Sequence, residues 1–341
     1  MNAIILAGGE GTRLKSVTGD LPKPMIRLAG KPVLEHVLTL LRRSGIRDVC
    51  ITLHYRPDVI RSYFEDGARF GMRLRYHEET APLGTAGAVR ACADFLGERD
   101  FLVIAGDCVC DFDLKPLMEA HHRHKSAVTI ALYAHEQPLQ YGIVLTDRED
   151  RVVSFVEKPD WSRVVSDLVN TGIYVVSPEA MRLIPENKPF DFAKDLFPLL
   201  MARGYEIRAL KMDGYWCDIG SPRAYYTCCL DALDGTVHLD GAEKTEPEHP
   251  GYTRRPDAGS QRLYFCRSRA RTMRLLSQTL MEAGADFSDG VSLRNGDGEI
   301  RISAEPDREA VRISAHAADP SKSEELAEGF LGLVRGLDGK L

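Results

Sequence analysis

Two periods of apolar residues alternate along the first 235 positions. Asn2 to Ala7 is a short apolar run with glycines behind it, which predicts a buried strand. Val33, Leu34, Val37, Leu38 and Leu41 fall at helical spacing, and Gly45 stands where that helix would stop. Strands are predicted at 48–54, 72–76 and 101–105, with helices at 57–66, 85–95 and 114–124 between and after them. Strands alternating with helices of this length predict a mostly parallel sheet covered on both faces. Beyond residue 126 the pattern turns richer in strand, at 126–134, 141–146, 152–157 and 169–176.

A break in the pattern follows. Residues 235–261 hold Gly235, Gly241, Pro247, Pro250, Gly251, Pro256 and Gly259 among many charges, a linker composition. The chain resumes with a helix at 268–284 and three short alternating runs, Val291/Leu293, Ile300/Ile302 and Val311/Ile313/Ala315. Asn295-Gly296-Asp297-Gly298 is a hairpin signal between the first two. Asp319-Pro320 opens a last helix with proline at its first position. The expected organisation is an α/β domain over 1–235, a linker over 236–261 and a small α+β domain over 262–341, a helix, a three-stranded meander and a helix.

Composition narrows the class of protein. The 341 residues are 44% hydrophobic and 28% charged, ordinary for a soluble chain of about two domains. No apolar run reaches the ~18 residues of a membrane span, and the N-terminus has neither a basic leader nor a long enough apolar core for a signal peptide. A cytoplasmic protein without membrane contact is expected. Lys plus Arg against Asp plus Glu gives 44 − 50 = −6, so there is no basic surplus for nucleic acid. The eight cysteines form no CxxC pair, and reduced, mostly buried thiols are expected.

Chemistry concentrates in the first domain. Leu6-Ala7-Gly8-Gly9-Glu10-Gly11-Thr12-Arg13-Leu14 follows the first strand. Glycines let backbone N–H groups approach phosphate oxygens, and Arg13 adds a forked positive charge. The spacing is neither that of a Walker A loop nor that of the dinucleotide fingerprint, and a plain tight turn has the same composition. Pro22-Lys23-Pro24-Met25 fixes Lys23 in a stiff, extended segment, where it suits a phosphate or simply faces water. His121, His122 and His124 fall on the polar side of a predicted helix and call for no metal.

Taken in order, these segments resemble the signature of sugar-1-phosphate nucleotidyltransferases. The resemblance runs on through Leu83-Gly84-Thr85-Ala86-Gly87-Ala88, Gly106-Asp107, Tyr141-Gly142, Glu157-Lys158-Pro159, Asn170-Thr171-Gly172-Ile173-Tyr174 and Gly214-Tyr215-Trp216-Cys217-Asp218-Ile219-Gly220. It covers about residues 1–235 and implies a Rossmann-like, mixed but mostly parallel sheet. One departure stands in Arg13-Leu14-Lys15-Ser16-Val17-Thr18, where the family commonly carries a proline before the threonine.

The resemblance implies a magnesium-dependent enzyme that joins a nucleoside triphosphate to a sugar 1-phosphate and releases pyrophosphate. Asp107 and Asp218 would hold Mg2+; an aspartate after a strand is otherwise a turn or cap residue. Arg13 would steady the β- and γ-phosphates and Lys23 the α-phosphate. Leu6, Ala7, Gly8, Gly9, Gly11, Thr12, Gly84, Thr85 and Gly106 would bind the nucleotide. Tyr141, Gly142, Glu157, Lys158 and Asn170 would bind the sugar phosphate.

Pro82-Leu83-Gly84-Thr85-Ala86-Gly87 is similar to the form in mannose-1-phosphate guanylyltransferases, and Glu78-Glu79 could accept from guanine N1 and N2. That implies GTP with mannose 1-phosphate, against glucose 1-phosphate with UTP or dTTP, or a heptose 1-phosphate with GTP. The alternative class is a non-catalytic nucleotide-sugar-binding regulatory subunit. A homo-oligomer is compatible with either. The tail from about 268 to 337 weakly resembles a degenerate phosphohexomutase C-terminal domain, through Asp289-Gly290-Val291, Ile300-Arg301-Ile302, Ala304-Glu305-Pro306-Asp307 and Val311-Arg312-Ile313. The mutase's phosphoserine loop and metal segment are missing, so mutase activity is not expected.

Overall fold

A computed structural model describes residues 1–135, 138–157, 166–241, 260–281, 283–286, 291–295, 298–304, 310–317 and 319–339. The chain opens with β1 (Asn2–Leu6), a one-turn helix α1 (Lys15–Thr18) and a miniature hairpin, β2 (Arg27–Leu28) and β3 (Lys31–Pro32). There follow α2 (Val33–Arg43), β4 (Asp48–Leu53), α3 (Pro57–Phe64), β5 (Arg73–Glu78), α4 (Gly84–Arg90), α5 (Ala93–Leu96), β6 (Phe101–Ala105), β7 (Cys108–Cys110) and α6 (Lys115–His124). The strand-rich stretch is β8 (Val128–Ala134), β9 (Gly142–Thr146), β10 (Val152–Glu157) and β11 (Leu168–Val176). Next are α7 (Pro178–Arg182), α8 (Phe197–Ala202), β12 (Ile207–Lys211), β13 (Trp216–Asp218) and α9 (Pro222–Asp234). The C-terminal segment holds β14 (Ser260–Phe265), α10 (Arg269–Leu280), β15 (Val291–Asn295), β16 (Gly298–Ala304), β17 (Ala310–His316) and α11 (Pro320–Asp338).

Contacts group the chain into two compact units. The first gathers Met1–Ala131, Arg148–Val152 and Thr171–Arg254; the second gathers Leu132–Asp147, Val153–Asn170 and Arg255–Leu341. The second unit therefore includes stretches from inside the first 235 residues.

In the first unit β6, β1, β4 and β5 pair in parallel in that order, and β11 closes on β6 antiparallel, with Tyr174 opposite Val103. Ile4, Ile5, Val49, Ile51, Val103 and Ile104 are sealed from solvent, as continuous apolar runs in a doubly covered parallel sheet should be. From β1 the chain steps outward to β4 and β5, then crosses back to β6 on the other side of β1. The strand order reverses there, and open α/β sheets form their ligand crevice at the carboxyl ends of the strands at such a point.

Helix α2 buries Val33, Leu34, Val37, Leu38 and Leu41, the face that the spacing predicts. It also buries His36, whose ring Nε2–H donates to the Leu28 carbonyl at 2.8 Å. His121, expected on the polar side of its helix, is instead buried, its Nδ1 2.9 Å from Thr129 Oγ1, so this histidine is a packing residue.

Three sequence expectations are corrected. The helix at 85–95 is two helices, α4 and α5, parted at Ala91 and Cys92. The C-terminal meander is a four-stranded antiparallel sheet, β14-β17-β16-β15, because Ser260–Phe265 adds a strand beside β17. Lys23 does not sit in an extended segment: Pro22 is extended, but Lys23–Met25 close a 3-10 turn in which Met25 N–H donates to Pro22 O at 2.8 Å. The C-terminal sheet packs α10 and α11 around a core of Met273, Leu276, Ile302, Val311, Ile313, Leu331 and Val334. Gly296, Asp297, Asp289, Gly290 and 305–309, quoted for the hairpin and the mutase likeness, lie outside the described residues. All eight cysteines are free thiols, seven of them buried. Among the described residues no helix is long and apolar enough to cross a membrane.

Burial holds the His36 and His121 imidazoles below the ordinary histidine pKa. Their neutral forms support the fold fully above about pH 6.5. Below it the unfolded chain takes up protons that the folded chain refuses, so stability falls with falling pH. The thermal midpoint is expected to drop between about pH 7 and pH 5. The drop should be shallower in His36→Gln, whose amide keeps the donor to Leu28 without titrating; an unchanged slope would contradict this.

Candidate active site

The loop after β1 is shaped by one left-handed residue. Gly11 has φ +62° and leads into the 3-10 turn Thr12–Leu14, with Leu14 N–H donating to Gly11 O at 2.9 Å. A Cβ at Gly11 would lie 2.9 Å from Lys23 Cβ, so glycine lets this loop lie directly against Lys23. With Leu6, Ala7, Gly9, Thr12, Arg13, Pro24, Asp107 and Gly220, these residues line a cavity of about 280 Å³.

The second wall comes from β6. Gly106 N–H donates to Leu6 O at 2.9 Å, which carries the next residue, Asp107, to the mouth of the β1/β6 crevice. Beyond it, β7 pairs antiparallel with β13 and sets Asp218 opposite Cys108. That pairing brings two aspartates far apart in sequence side by side. Lys23 Nζ lies 2.6 Å from Asp107 Oδ2 and 2.9 Å from Asp218 Oδ1. Arg13 stands close by, since a Cβ at Gly220 would meet Asp218 Oδ2 at 2.9 Å and Arg13 Nη2 at 3.4 Å.

Each charged residue is moored to one small apolar cluster. Leu14, Ile26, Val109 and Ile219 belong to it, and they flank Arg13, Lys23, Asp107 and Asp218 within three positions. Burying such a side chain stabilises by about 2 kcal/mol, so the cluster can hold charges that repel each other. Burial lowers the Lys23 pKa, but Asp107 and Asp218 outweigh it and raise the pKa above the ordinary lysine value. Asp218 is pushed up, first by burial and then by the Asp107 carboxylate, while Lys23 and Arg13 pull it down. Two carboxylates forced together in a partly dry crevice, balanced by one ammonium, form an oxygen donor set suited to a hard divalent cation.

Asp111 was not singled out from sequence, and it sets β13 in place. Its Oδ1 accepts from Tyr215 N–H at 2.7 Å and its Oδ2 from His238 N–H at 3.0 Å. Gly214 has φ +111°, and a Cβ there would stand 2.5 Å from Asp111 Oδ1.

The loop at 83–87 is braced from below. Ala86 and Gly87 N–H both donate to Phe190 O at 2.9 Å, and Phe190 N–H donates to Leu83 O at 2.8 Å. Gly84 has φ +70° with Phe190 O only 2.7 Å from its would-be Cβ. The Thr85 hydroxyl donates to Asp191 Oδ1 at 2.9 Å and accepts from Phe192 N–H at 3.0 Å. Glu79 Oε2 accepts from Leu83 N–H at 3.0 Å, and Glu78 pairs with Arg61 at 3.3 Å. Both glutamates thus have protein partners, and Glu79 acts on the loop itself.

Tyr141, Gly142, Glu157 and Asn170 lie in the second unit. Val169 pairs antiparallel with Ile143, which sets Asn170 opposite Gly142. A Cβ at Gly142 would come within 2.8 Å of Glu157 Oε2, so these three residues gather at one place. Lys158 lies outside the described residues.

A family model described as nucleotidyl transferase matches residues 2–235. The chain belongs to the nucleotidyl transferase family. Its likeness to sugar-1-phosphate members holds. It is 36% identical over 250 residues to a UTP–glucose-1-phosphate uridylyltransferase of Synechocystis, covering 70% of this chain and 64% of the relative. It is 37% identical over 232 residues to a mannose-1-phosphate guanylyltransferase catalytic subunit beta of Drosophila pseudoobscura, covering 67% and 62%. The chain thus spans less than two thirds of the length of these two relatives. Among solved structures it is similar to HddC of Yersinia pseudotuberculosis complexed with GMP-PN, with TM-score 0.59, 31% identity and coverage of 68% of this chain and 99% of that one. A putative glucose-1-phosphate thymidylyltransferase of Bacillus anthracis matches with TM-score 0.62 at 26% identity, covering 68% and 95%.

Removing Lys23 leaves the Asp107 and Asp218 carboxylates facing each other. Lys23→Ala is expected to destabilise the chelator-treated protein by about 2–3 kcal/mol, the low end for a broken buried ion pair because both aspartates keep some solvent contact. Lys23→Ala/Asp107→Asn should recover part of that loss in a denaturant titration. Additive losses would refute the electrostatic account.

Proposed function

We propose that the chain transfers a nucleotidyl group from a nucleoside triphosphate to a sugar 1-phosphate, releasing pyrophosphate and forming a nucleotide sugar. The observation that carries this reading is Lys23 held between Asp107 and Asp218 beside Arg13, at the point where the sheet reverses. An oxygen of the sugar phosphate attacks the α-phosphorus, and the bond from that phosphorus to the bridging oxygen of the leaving pyrophosphate breaks. The nucleophile is already ionised, so no protein base is needed. Lys23 neutralises charge at the α-phosphate, and Arg13 steadies the β- and γ-phosphates as they depart. Glycine backbone from Gly8 to Gly11 gives the phosphates close access, with Thr12 beside it. Bringing two anions together is the main difficulty, so positioning and charge neutralisation supply most of the catalysis.

Asp107 and Asp218 would hold Mg2+. When bound, the cation would offset phosphate charge and polarise the α-phosphoryl group. Asn170 and Glu157 take sugar hydroxyls on this reading, with Tyr141, Gly142 and Lys158 at the sugar phosphate. The assembled Lys23–Asp107–Asp218 cluster favours an enzyme over a binding-only subunit. GTP with mannose 1-phosphate is the preferred pair, supported by the loop at 82–87, by the guanylyltransferase relative and by the GMP-PN complex of HddC. The uridylyl and thymidylyl relatives make glucose 1-phosphate with UTP or dTTP the competing pair. A cytoplasmic setting belongs to the same reading.

Pyrophosphate release with magnesium should be measured across four triphosphates and several sugar 1-phosphates. One pair is expected to dominate, with Asp107→Asn lowering turnover by about 100-fold or more and chelation abolishing it. Undiminished release in Asp107→Asn, or release after chelation, would overturn the assigned roles.

A further inference from the structure

The second unit joins the proposed sugar-side residues to the C-terminal domain in one body. Ile143, from β9, sits in the same apolar core as Met273, Leu276, Ile302 and Val334, and Leu139 packs against it. Arg269, the first residue of α10, is 4% exposed and ion-paired to Asp167. Asp167 is itself a junction. Its carbonyl accepts from His135 N–H at 3.0 Å, and the His135 ring lies 4.9 Å, centroid to centroid, from the Tyr141 ring. Three residues beyond Asp167 stands Asn170, opposite Gly142.

The other end of this chain of contacts is tied down by hydrogen bonds. Asp338, near the end of α11, is buried and accepts from Arg267 N–H at 2.9 Å, Tyr264 OH at 3.0 Å and Thr272 Oγ1 at 3.3 Å. It therefore pins the start of α10, from which Arg269 extends. A buried ion pair is a poor way to gain stability, because desolvating both charges consumes most of their attraction. It does fix a direction, since a planar guanidinium 4% exposed, with its Nη2 against Asp167 Oδ2, has little freedom to turn.

We infer that Arg269 is a positioning residue for the sugar phosphate: through Asp167 it sets the placement of Asn170, Tyr141 and Gly142. The C-terminal domain is then part of the acceptor-binding apparatus and leaves triphosphate binding alone. This rests on the sugar-side roles proposed above.

Full-length protein should be compared with Arg269→Met, Arg269→Lys and Asp167→Asn. With the active substrate pair, Arg269→Met and Asp167→Asn are expected to raise KM for the sugar 1-phosphate by about tenfold or more, with KM for the triphosphate within about twofold. Arg269→Lys should restore part of the loss. Equal rises in both KM values, or no change in either, would overturn the inference. Amide hydrogen exchange reads the same variants without turnover. Exchange should accelerate at 133–146 and 166–170 in Arg269→Met and Asp167→Asn, and stay as in wild type over 1–131. Unchanged exchange at 133–146 and 166–170 would overturn the inference as well. A wild type that turns over no substrate pair would instead sink the proposed function, and the exchange experiment would still decide the role of Arg269.

Discussion

A buried ammonium between two carboxylates governs the crevice beside β1 and β6. Lys23, Asp107 and Asp218 come from three distant segments, and each would be unstable in its place without the others. Burial, and after it the neighbouring Asp107 carboxylate, makes Asp218 resist ionisation; burial also lowers the Lys23 pKa, and the two aspartates more than reverse that. The cluster stands only as a set, so the loop after β1, the turn at Pro22 and the β7–β13 pair must all arrive in register. Apolar packing supplies the means, through Leu14, Ile26, Val109 and Ile219. An all-apolar crevice would be at least as stable. Retaining three charges in this position marks chemistry, since perturbed ionisation concentrates at functional sites.

Close backbone approach is the second requirement. Gly11 must be left-handed and without a side chain for the loop after β1 to reach Lys23. Gly214 meets the same demand at the far end, where Asp111 takes two backbone N–H groups and fixes the approach to β13. These hydrogen bonds contribute about 1 kcal/mol each. Their larger effect is geometric, because a shift of β13 by one residue would turn Asp218 to the other face of its strand.

Much of the first unit is legible from the pattern of residues. β1, β6 and α2 lie where periodicity puts them, because their buried faces are built almost entirely from apolar residues. The glycine loop, Lys23 and both aspartates stand out because strand, glycine and charge occur together. What escaped the sequence reading depends on partners distant in the chain. Asp111 has no local signature, and its role comes from Tyr215 and His238. Thr85 looks like a ligand residue, yet its hydroxyl is used by Asp191 and Phe192. β14 is hidden because Arg262 occupies the row that faces Ile313; its guanidinium is drawn off to Glu324 and Glu328, so the alternation expected of a strand is broken.

The boundary between units shows why sequence order is a poor guide to what moves together. A short hairpin such as β9 and β10 is marginal alone in water and needs an apolar face to rest on. Ile143 and Leu139 find that face in the core built by α10, α11 and the four-stranded sheet. The family signature ends at residue 235, but the physical support of Gly142, Glu157 and Asn170 extends to residues beyond 260. A chain cut at the signature's end would keep the residues and lose the core under them. Gly142, Glu157 and Asn170 are therefore supported by the second unit as a whole, whereas the paired aspartates and Lys23 rest on an apolar cluster of the first.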